Sequence, residues 1–386
     1  MTKPGIFIGI GAGLLIGLGL LAWLTPGDRS PAKPLPEDVG RISRVVIHYA
    51  PGIDLGLPGT GEVVADIYRQ FLRAAGPGFQ IIWVVENQRD LDDLKTGLGD
   101  VYPSDSLVLL THTPITTWAK DRFTCLVSED GRGPTLLLAP ARKAVSNPLR
   151  INDQEVPWRL TASFPRLFAC RDLQMDFDGG DVLATSRGLL VHPAILSRNV
   201  PLPQSFPSAE DLRSHLRSQL GELVWLGPRE SDVPPHHVGM FLTLANGTAF
   251  VGDVRLAETL LARHAPELET ACQSAGGLAD APTRTELVRQ LDHVADQMRS
   301  LGLPVVRVPL VPSATPRAWM SYNNGIVETR AGRTFYYMPS FALKPVDDAA
   351  ADAFRAAGCQ VLPIDCSRIW HLCGSLHCLV NVVERH

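Results

Sequence analysis

The sequence predicts a single α/β domain, and three observations carry that expectation. A helix–Gly–strand grammar recurs: Ala74-Ala75-Gly76 leads into Gln80-Ile81-Ile82-Trp83-Val84-Val85, Ser300-Leu301-Gly302 into Val305-Val306-Arg307-Val308, and Ala356-Ala357-Gly358 into Gln360-Val361-Leu362-Pro363-Ile364. Repeats of this kind assemble one domain from similar modules. No second linker interrupts residues 41–386. The 386 residues are 45% hydrophobic and 20% charged, which supplies a sizeable core. Periodicity alone leaves both a doubly wound sheet and a propeller of ββαβ modules open.

In chain order, residues 5–24 form an uncharged apolar run of the length a helix needs to cross a bilayer. The Thr25-Pro26-Gly27 that follows lacks the small-x-small pattern of a cleavage site, so residues 1–25 read as a retained single-pass anchor. Gly5, Gly9, Gly13 and Gly17 share one helical face, a spacing that permits homodimerisation in a membrane. Lys3 before the run is offset by Arg29 and Lys33 after it, so orientation is weakly specified; the domain is placed on the extracytoplasmic side. Pro26, Pro31, Pro34 and Pro36 make residues 26–40 a stiff spacer.

The domain then spans residues 41–386. Its first strand is expected at residues 44–49, followed by a helix burying Val64, Ile67, Tyr68, Phe71, Leu72 and Ala75, with Gly76 at its end. A further amphipathic helix carries Leu287, Leu291, Val294, Met298 and Leu301 on one face.

A net charge of −4 without any Lys/Arg-rich block excludes a nucleic-acid footprint. Seven scattered cysteines make no disulfide framework, and their odd number leaves at least one thiol unpaired. Cys125, Cys170, Cys272 and Cys359 read as buried, inert thiols. Cys366, Cys373 and Cys378 crowd toward the C-terminus.

Four segments place acids, His or Cys beside glycines and strand ends: Trp118-Ala119-Lys120-Asp121, Asp178-Gly179-Gly180-Asp181, His236-His237-Val238-Gly239 and Gly374-Ser375-Leu376-His377-Cys378. Each has a bland reading when taken alone. Asp beside Gly-Gly is what a tight turn requires, a His pair after Pro234-Pro235 suits a loop, and Cys378 among Leu376, Leu379 and Val380 suits a core. His371, Cys373, His377 and Cys378 also offer four zinc-type donors, but Cys373 and His377 stand four apart on loop leading into a strand expected from Leu379 to Val383, and adjacent His377 and Cys378 would point oppositely on a strand.

Taken in order, the four segments resemble those of the guanidino-group-modifying (pentein) superfamily, most closely agmatine deiminases and peptidylarginine deiminase-type hydrolases. Such enzymes carry Trp-x-Arg-Asp, an acid before Gly-Gly, His-x-Asp and a late Gly-x-x-His-Cys. Ser321-Tyr322-Asn323-Asn324 is similar to a Ser-Tyr-x-Asn stretch of the same enzymes. The resemblance implies a five-bladed α/β propeller that hydrolyses a C–N bond of a small-molecule or peptidyl guanidino compound without metal or cofactor. It implies Cys378 as nucleophile, His237 as general acid and base and Asp178 as its orienting acid. Asp121, Trp118, Asp181 and Asn323 are implied as substrate contacts.

Two departures stand out. Lys120 replaces Arg, keeping the charge without the planar fork. Gly239 replaces the Asp that helps hold the guanidinium, which either makes room for a substituted guanidinium or weakens the site. The rival readings are an amidinotransferase using the same Cys–His pair and a catalytically degenerate binding module at the membrane.

Overall fold

The structure is a computed structural model that describes residues 32–51, 60–141, 150–200, 206–262, 272 and 276–386. Among the described residues the strands form five separate sheets of three or four strands. Each sheet contains an antiparallel strand pair followed by a helix and then a strand added in parallel. Chain geometry explains the order, because antiparallel neighbours need only a tight turn whereas a parallel neighbour needs a long crossover. Asn246 and Gly247, at φ 48° and 72°, make the tight turn between Leu242–Ala245 and Thr248–Asp253. The helix Ala281–Ser300 then crosses to the parallel strand Val305–Pro312.

The other sheets repeat the pattern. Thr124–Ser128 and Thr135–Ala139 pair antiparallel, and Phe168–Asp172 joins in parallel after the helix Val156–Ser163. Val182–Thr185 and Gly188–Val191 are followed by the helix Ala209–Leu220 and the strand Leu223–Trp225. Ile326–Arg330 and Arg333–Ser340 are followed by Lys344–Ala356 and Cys359–Asp365. In the remaining sheet the antiparallel partner of Ile42–Tyr49 is the C-terminal strand Val380–Arg385, so the two ends of the domain close on each other. Helix Thr60–Ala75 then leads to Gln80–Val85. It buries the expected Val64, Ile67, Tyr68, Phe71, Leu72 and Ala75, and Gly76 at φ 69° ends it.

One regularity positions the site. Each segment singled out in the sequence immediately precedes the first strand of an antiparallel pair: 118–121 before Thr124–Ser128, 178–181 before Val182–Thr185, 236–239 before Leu242–Ala245, 321–324 before Ile326–Arg330 and 374–378 before Val380–Arg385. Five repeats therefore present chemically distinct residues from one equivalent position.

Several expectations are corrected. The membrane placement is not upheld: among the described residues no helix is long and apolar enough to cross a membrane, and the apolar run 5–24 lies outside the described residues. Residues 32–40 are not a free spacer. Ala32–Pro34 is an antiparallel edge strand on Thr124–Ser128, and Leu35 is buried. The Pro spacing there reflects an edge position, where a missing N–H costs no ladder bond. The long surface helix stops at Ser300, leaving Leu301 as its cap and 41% exposed. Leu376–Leu379 is a helical turn and not strand, so His377 and Cys378 sit on one short helix.

Candidate active site

The acid-Gly-Gly segment is built by close approach and not by turn geometry. A Cβ on Gly179 would lie 2.2 Å from the Lys120 carbonyl oxygen and 2.6 Å from that of Phe123. The Gly179 N–H donates to the Asp121 carbonyl at 2.8 Å, which locks the 118–121 turn against the 178–181 turn. A Cβ on Gly180 would lie 2.5 Å from the His237 ring, so this glycine is the floor on which the imidazole rests. Neither position has a positive φ. What these glycines supply is absent bulk.

That floor sets His237 between two carboxylates. Its Nδ1 is 3.7 Å from Asp121 Oδ1 and its Nε2 is 3.5 Å from Asp178 Oδ2, and it shares a hydrogen bond with Cys378. Burial disfavours its charge, but Asp121, the hydrogen bonds to Asp178 and Cys378, and the charge of Asp178 prevail and push it up to about 10. Its neighbour behaves oppositely. His236 Nδ1 accepts from the His237 N–H at 2.8 Å, so its Nε2 carries the proton that it donates to the Arg317 carbonyl at 2.9 Å. Burial, reinforced by the positive His237, holds His236 well below the usual histidine range, and it is a neutral strut.

Asp178 is buried too. Burial opposes its charge, but His237, Arg122 and Arg198 outweigh that and hold it well below the usual carboxylate range. Arg122 donates to its Oδ1 at 2.7 Å, and Arg198 lies 3.5 Å from its Oδ2. Asp181 accepts from the Asp178 backbone N–H at 2.6 Å and pairs with Arg198. It closes a capping box with Asp178, which makes it a brace for that residue and leaves no open face for substrate.

The nucleophile candidate is held from three sides. Cys378 is buried, and its carbonyl accepts from the Lys120 N–H at 3.2 Å. The Asn324 side-chain oxygen accepts from Ser375 N and Oγ, both at 2.9 Å, while its carbonyl accepts from the His377 N–H at 2.9 Å. Trp118 packs over Gly374, where a Cβ would lie 2.6 Å from the indole and 3.2 Å from Cys378 Cβ. The adjacent Asn323 faces elsewhere: its Nδ2 donates to the Phe250 carbonyl at 2.9 Å, and it lines a cavity of about 20 Å³ with Glu37, Lys120 and Gly239. Of the expected site residues, Cys378, His237, Asp178, Asp121 and Trp118 converge, whereas Asp181 braces from behind and Asn323 lies apart.

Other thiols are unlike Cys378 in setting. Burial pushes Cys125 up to about 12, and Cys366 is raised by burial and by Asp365. Among the described residues no group of three or more His, Cys, Asp or Glu is placed to hold a metal ion.

Glu37 was hidden from sequence reasoning inside the Pro-rich stretch. Its carboxylate accepts from Lys120 at 2.8 Å and meets His377 Nε2 at 2.5 Å. Burial opposes that charge, but Lys120 and His377 hold the Glu37 carboxyl well below its usual range. The same contact accounts for Gly239. A Cβ there would lie 2.9 Å from the His377 ring, so the missing side chain leaves no open space for alkyl substituents. His377, pinned by Glu37, fills it.

Two predictions arise here. Glu37→Ala leaves Lys120 and His377, with side chains only 6% and 11% exposed, without their carboxylate. Breaking a buried pair from one side costs about 3–5 kcal/mol, so the denaturant midpoint of the full chain should fall sharply. A loss below about 1 kcal/mol is what a surface pair would give and would contradict this role. For His237, the folded value of about 10 lies above the ordinary 6.5. Its stabilisation is therefore complete below pH 6.5 and disappears as pH rises toward 10. The stability difference between wild type and His237→Gln, measured by denaturation across that window, should shrink with rising pH. A pH-independent difference would contradict the ion-paired assignment.

No protein-family model matches this sequence, and no curated protein matches it. Solved structures do. An agmatine deiminase of C. jejuni superposes with a TM-score of 0.64 at 15% identity, covering 92% of this chain and 97% of that one. Its substrate-bound form gives 0.62 at 14% identity, with 94% and 99% coverage. An agmatine deiminase of Enterococcus faecalis gives 0.60 at 13% identity, with 93% and 98% coverage. The chain therefore shares the α/β fold of these agmatine deiminase structures over more than nine-tenths of its length.

Proposed function

We propose that the chain is an amidine hydrolase acting on a guanidino compound through a covalent thiouronium intermediate, in a five-bladed domain whose five sheets are the blades. The observation that carries this reading is His237, poised between two carboxylates and hydrogen-bonded to Cys378. Such an arrangement supplies a charged general acid beside a soft nucleophile, which is what a delocalised, poorly electrophilic cation requires. The likeness to agmatine deiminase structures supports the same class of chemistry.

Asp121 would bind the substrate cation. Cys378, entering as the thiolate, would attack the guanidinium carbon through Sγ, forming the C–S bond, and His237 would give its proton to the nitrogen that leaves as the C–N bond breaks. The neutral imidazole would then take a proton from water as that water attacks the same carbon. Collapse breaks the C–S bond and sheds the remaining hydroxyl proton to the released ammonia or amine, freeing a ureido product and the thiolate. Asp178 sustains the imidazolium in the way the third member of a triad does. The timing is favourable: forming the C–S bond removes the Cys378 hydrogen bond that helps raise His237, so its proton is released more readily at the step that needs it.

The test is product analysis of the full chain with agmatine, free arginine, methylated arginine and peptidyl arginine. A ureido product with stoichiometric ammonia or amine is expected from at least one. Transfer of the amidino group to an added amine, with no ureido product, would contradict hydrolysis.

A further inference from the structure

We propose that Arg150 is an intramolecular competitor for the guanidinium-binding carboxylate, so that a substrate cation engages Asp121 only by exchanging with it. The inference rests on the reading of Asp121 as the cation-binding acid and adds a residue that the sequence motifs do not include. Arg150 Nη1 donates to Asp121 Oδ2, while Oδ1 faces His237 at 3.7 Å with no hydrogen-bond partner of its own. A guanidinium thus already stands on one oxygen of the carboxylate assigned to a guanidinium.

The placement is built in. Asn152 donates to the Pro114 carbonyl at 2.7 Å, and Asp153 accepts from the Thr116 N–H at 2.8 Å. Both ties fasten the residues after Arg150 to the strand exit that also carries Trp118 and Asp121. Arg150 is 20% exposed at its side chain against 3% for Asp121, so it reaches the carboxylate from the solvent side. Burial works against its charge, and Asp121, Asp178 and Asp153 restore it.

A substrate guanidinium seated on both oxygens of Asp121 needs the Oδ2 that Arg150 holds, so the two cations compete for one acceptor. Arg122 and Arg198 are engaged by Asp178 and Asp181, which leaves Asp121 to Arg150. A tethered group competes at an effective concentration of about millimolar, so removing it should tighten binding of a free guanidinium about ten-fold or more.

The experiment compares full-length wild type with Arg150→Ala and with Arg150→Gln, which keeps a hydrogen-bonding amide on a shorter side chain but not the charge. Calorimetric titration with agmatine is expected to give at least about ten-fold tighter binding in both variants. The labelling rate of Cys378 by chloroacetamidine, relative to neutral iodoacetamide, should rise in the same proportion. Should Arg150→Ala fail to fold, Arg150→Gln carries the test. Binding and labelling ratios unchanged or reduced in the folded variants overturn the proposal. These readouts need no turnover, so an inactive wild type would count against the hydrolase reading while leaving this inference to be decided by binding.

Discussion

Cys378→Ala is expected to abolish hydrolysis of every guanidino substrate, by about four orders of magnitude or more. The size follows from the chemistry. A guanidinium carbon shares its charge over three nitrogens, and without a covalent relay the remaining groups can only hold the cation near water. The change should leave the fold intact, because Cys378 is held through its backbone: its N–H donates to the Ser375 carbonyl at 3.1 Å, and its own carbonyl accepts from Lys120. Steady-state turnover and a thermal melt measured together check this. Turnover within ten-fold of wild type would remove Cys378 from the reaction.

Gly180→Ala is expected to cost a large, though smaller, part of the rate while adding one methyl group. The new Cβ would lie 2.5 Å from the His237 ring, well inside contact distance. The ring cannot yield without losing its seat between Asp121 and Asp178, both of which are locked by the 2.8 Å hydrogen bond from Gly179 N–H to the Asp121 carbonyl. Displacing the general acid should cost about 10²–10⁴ in rate. The pH at which His237 titrates, followed by NMR, should fall from about 10 toward 6.5 as its carboxylates recede. A variant with unaltered rate and titration would show that the glycine has some other purpose.

Both predictions concern residues that were legible only in part. Cys378, His237, Asp178 and Asp121 each lie in a short motif whose residue types announce chemistry, and all four converge. The glycines of Asp178-Gly179-Gly180 looked like turn residues, because sequence gives no hint of the Lys120 carbonyl and the His237 ring lying against them. Asn324 rather than Asn323 holds the nucleophile turn, and a one-residue choice of that kind depends on which way the chain faces as it enters Ile326–Arg330. Arg150, Arg198 and Glu37 belong to no motif and reach the site through tertiary approach. Arg122 stood beside Asp121 in plain view.

The fold was legible where a helix end was marked. Gly76, Gly302 and Gly358, at φ 69°, 75° and 84°, announced three of the crossovers. Gly221, at φ 80°, marks a fourth, but the strand after it, Leu223–Trp225, is too short to read as one. The helix Val156–Ser163 ends at Phe164 with no glycine, so its crossover left no signal. The N-terminal stretch misled for a physical reason. Proline density argues for extended chain, and Ala32–Pro34 is indeed extended, but as an edge strand that brings Glu37 against Lys120 and His377.

The central claim is that Cys378 forms a covalent bond with the guanidinium carbon. Rapid acid quench of the full chain during turnover of a substrate ¹³C-labelled at that carbon, followed by peptide mass spectrometry, tests it most directly. The account predicts a labelled amidino adduct on the peptide containing Cys378, absent in Cys378→Ala and accumulating when His237→Gln slows its hydrolysis. Steady turnover with no adduct on Cys378, or a label found on Cys373 or Cys366 instead, would contradict it.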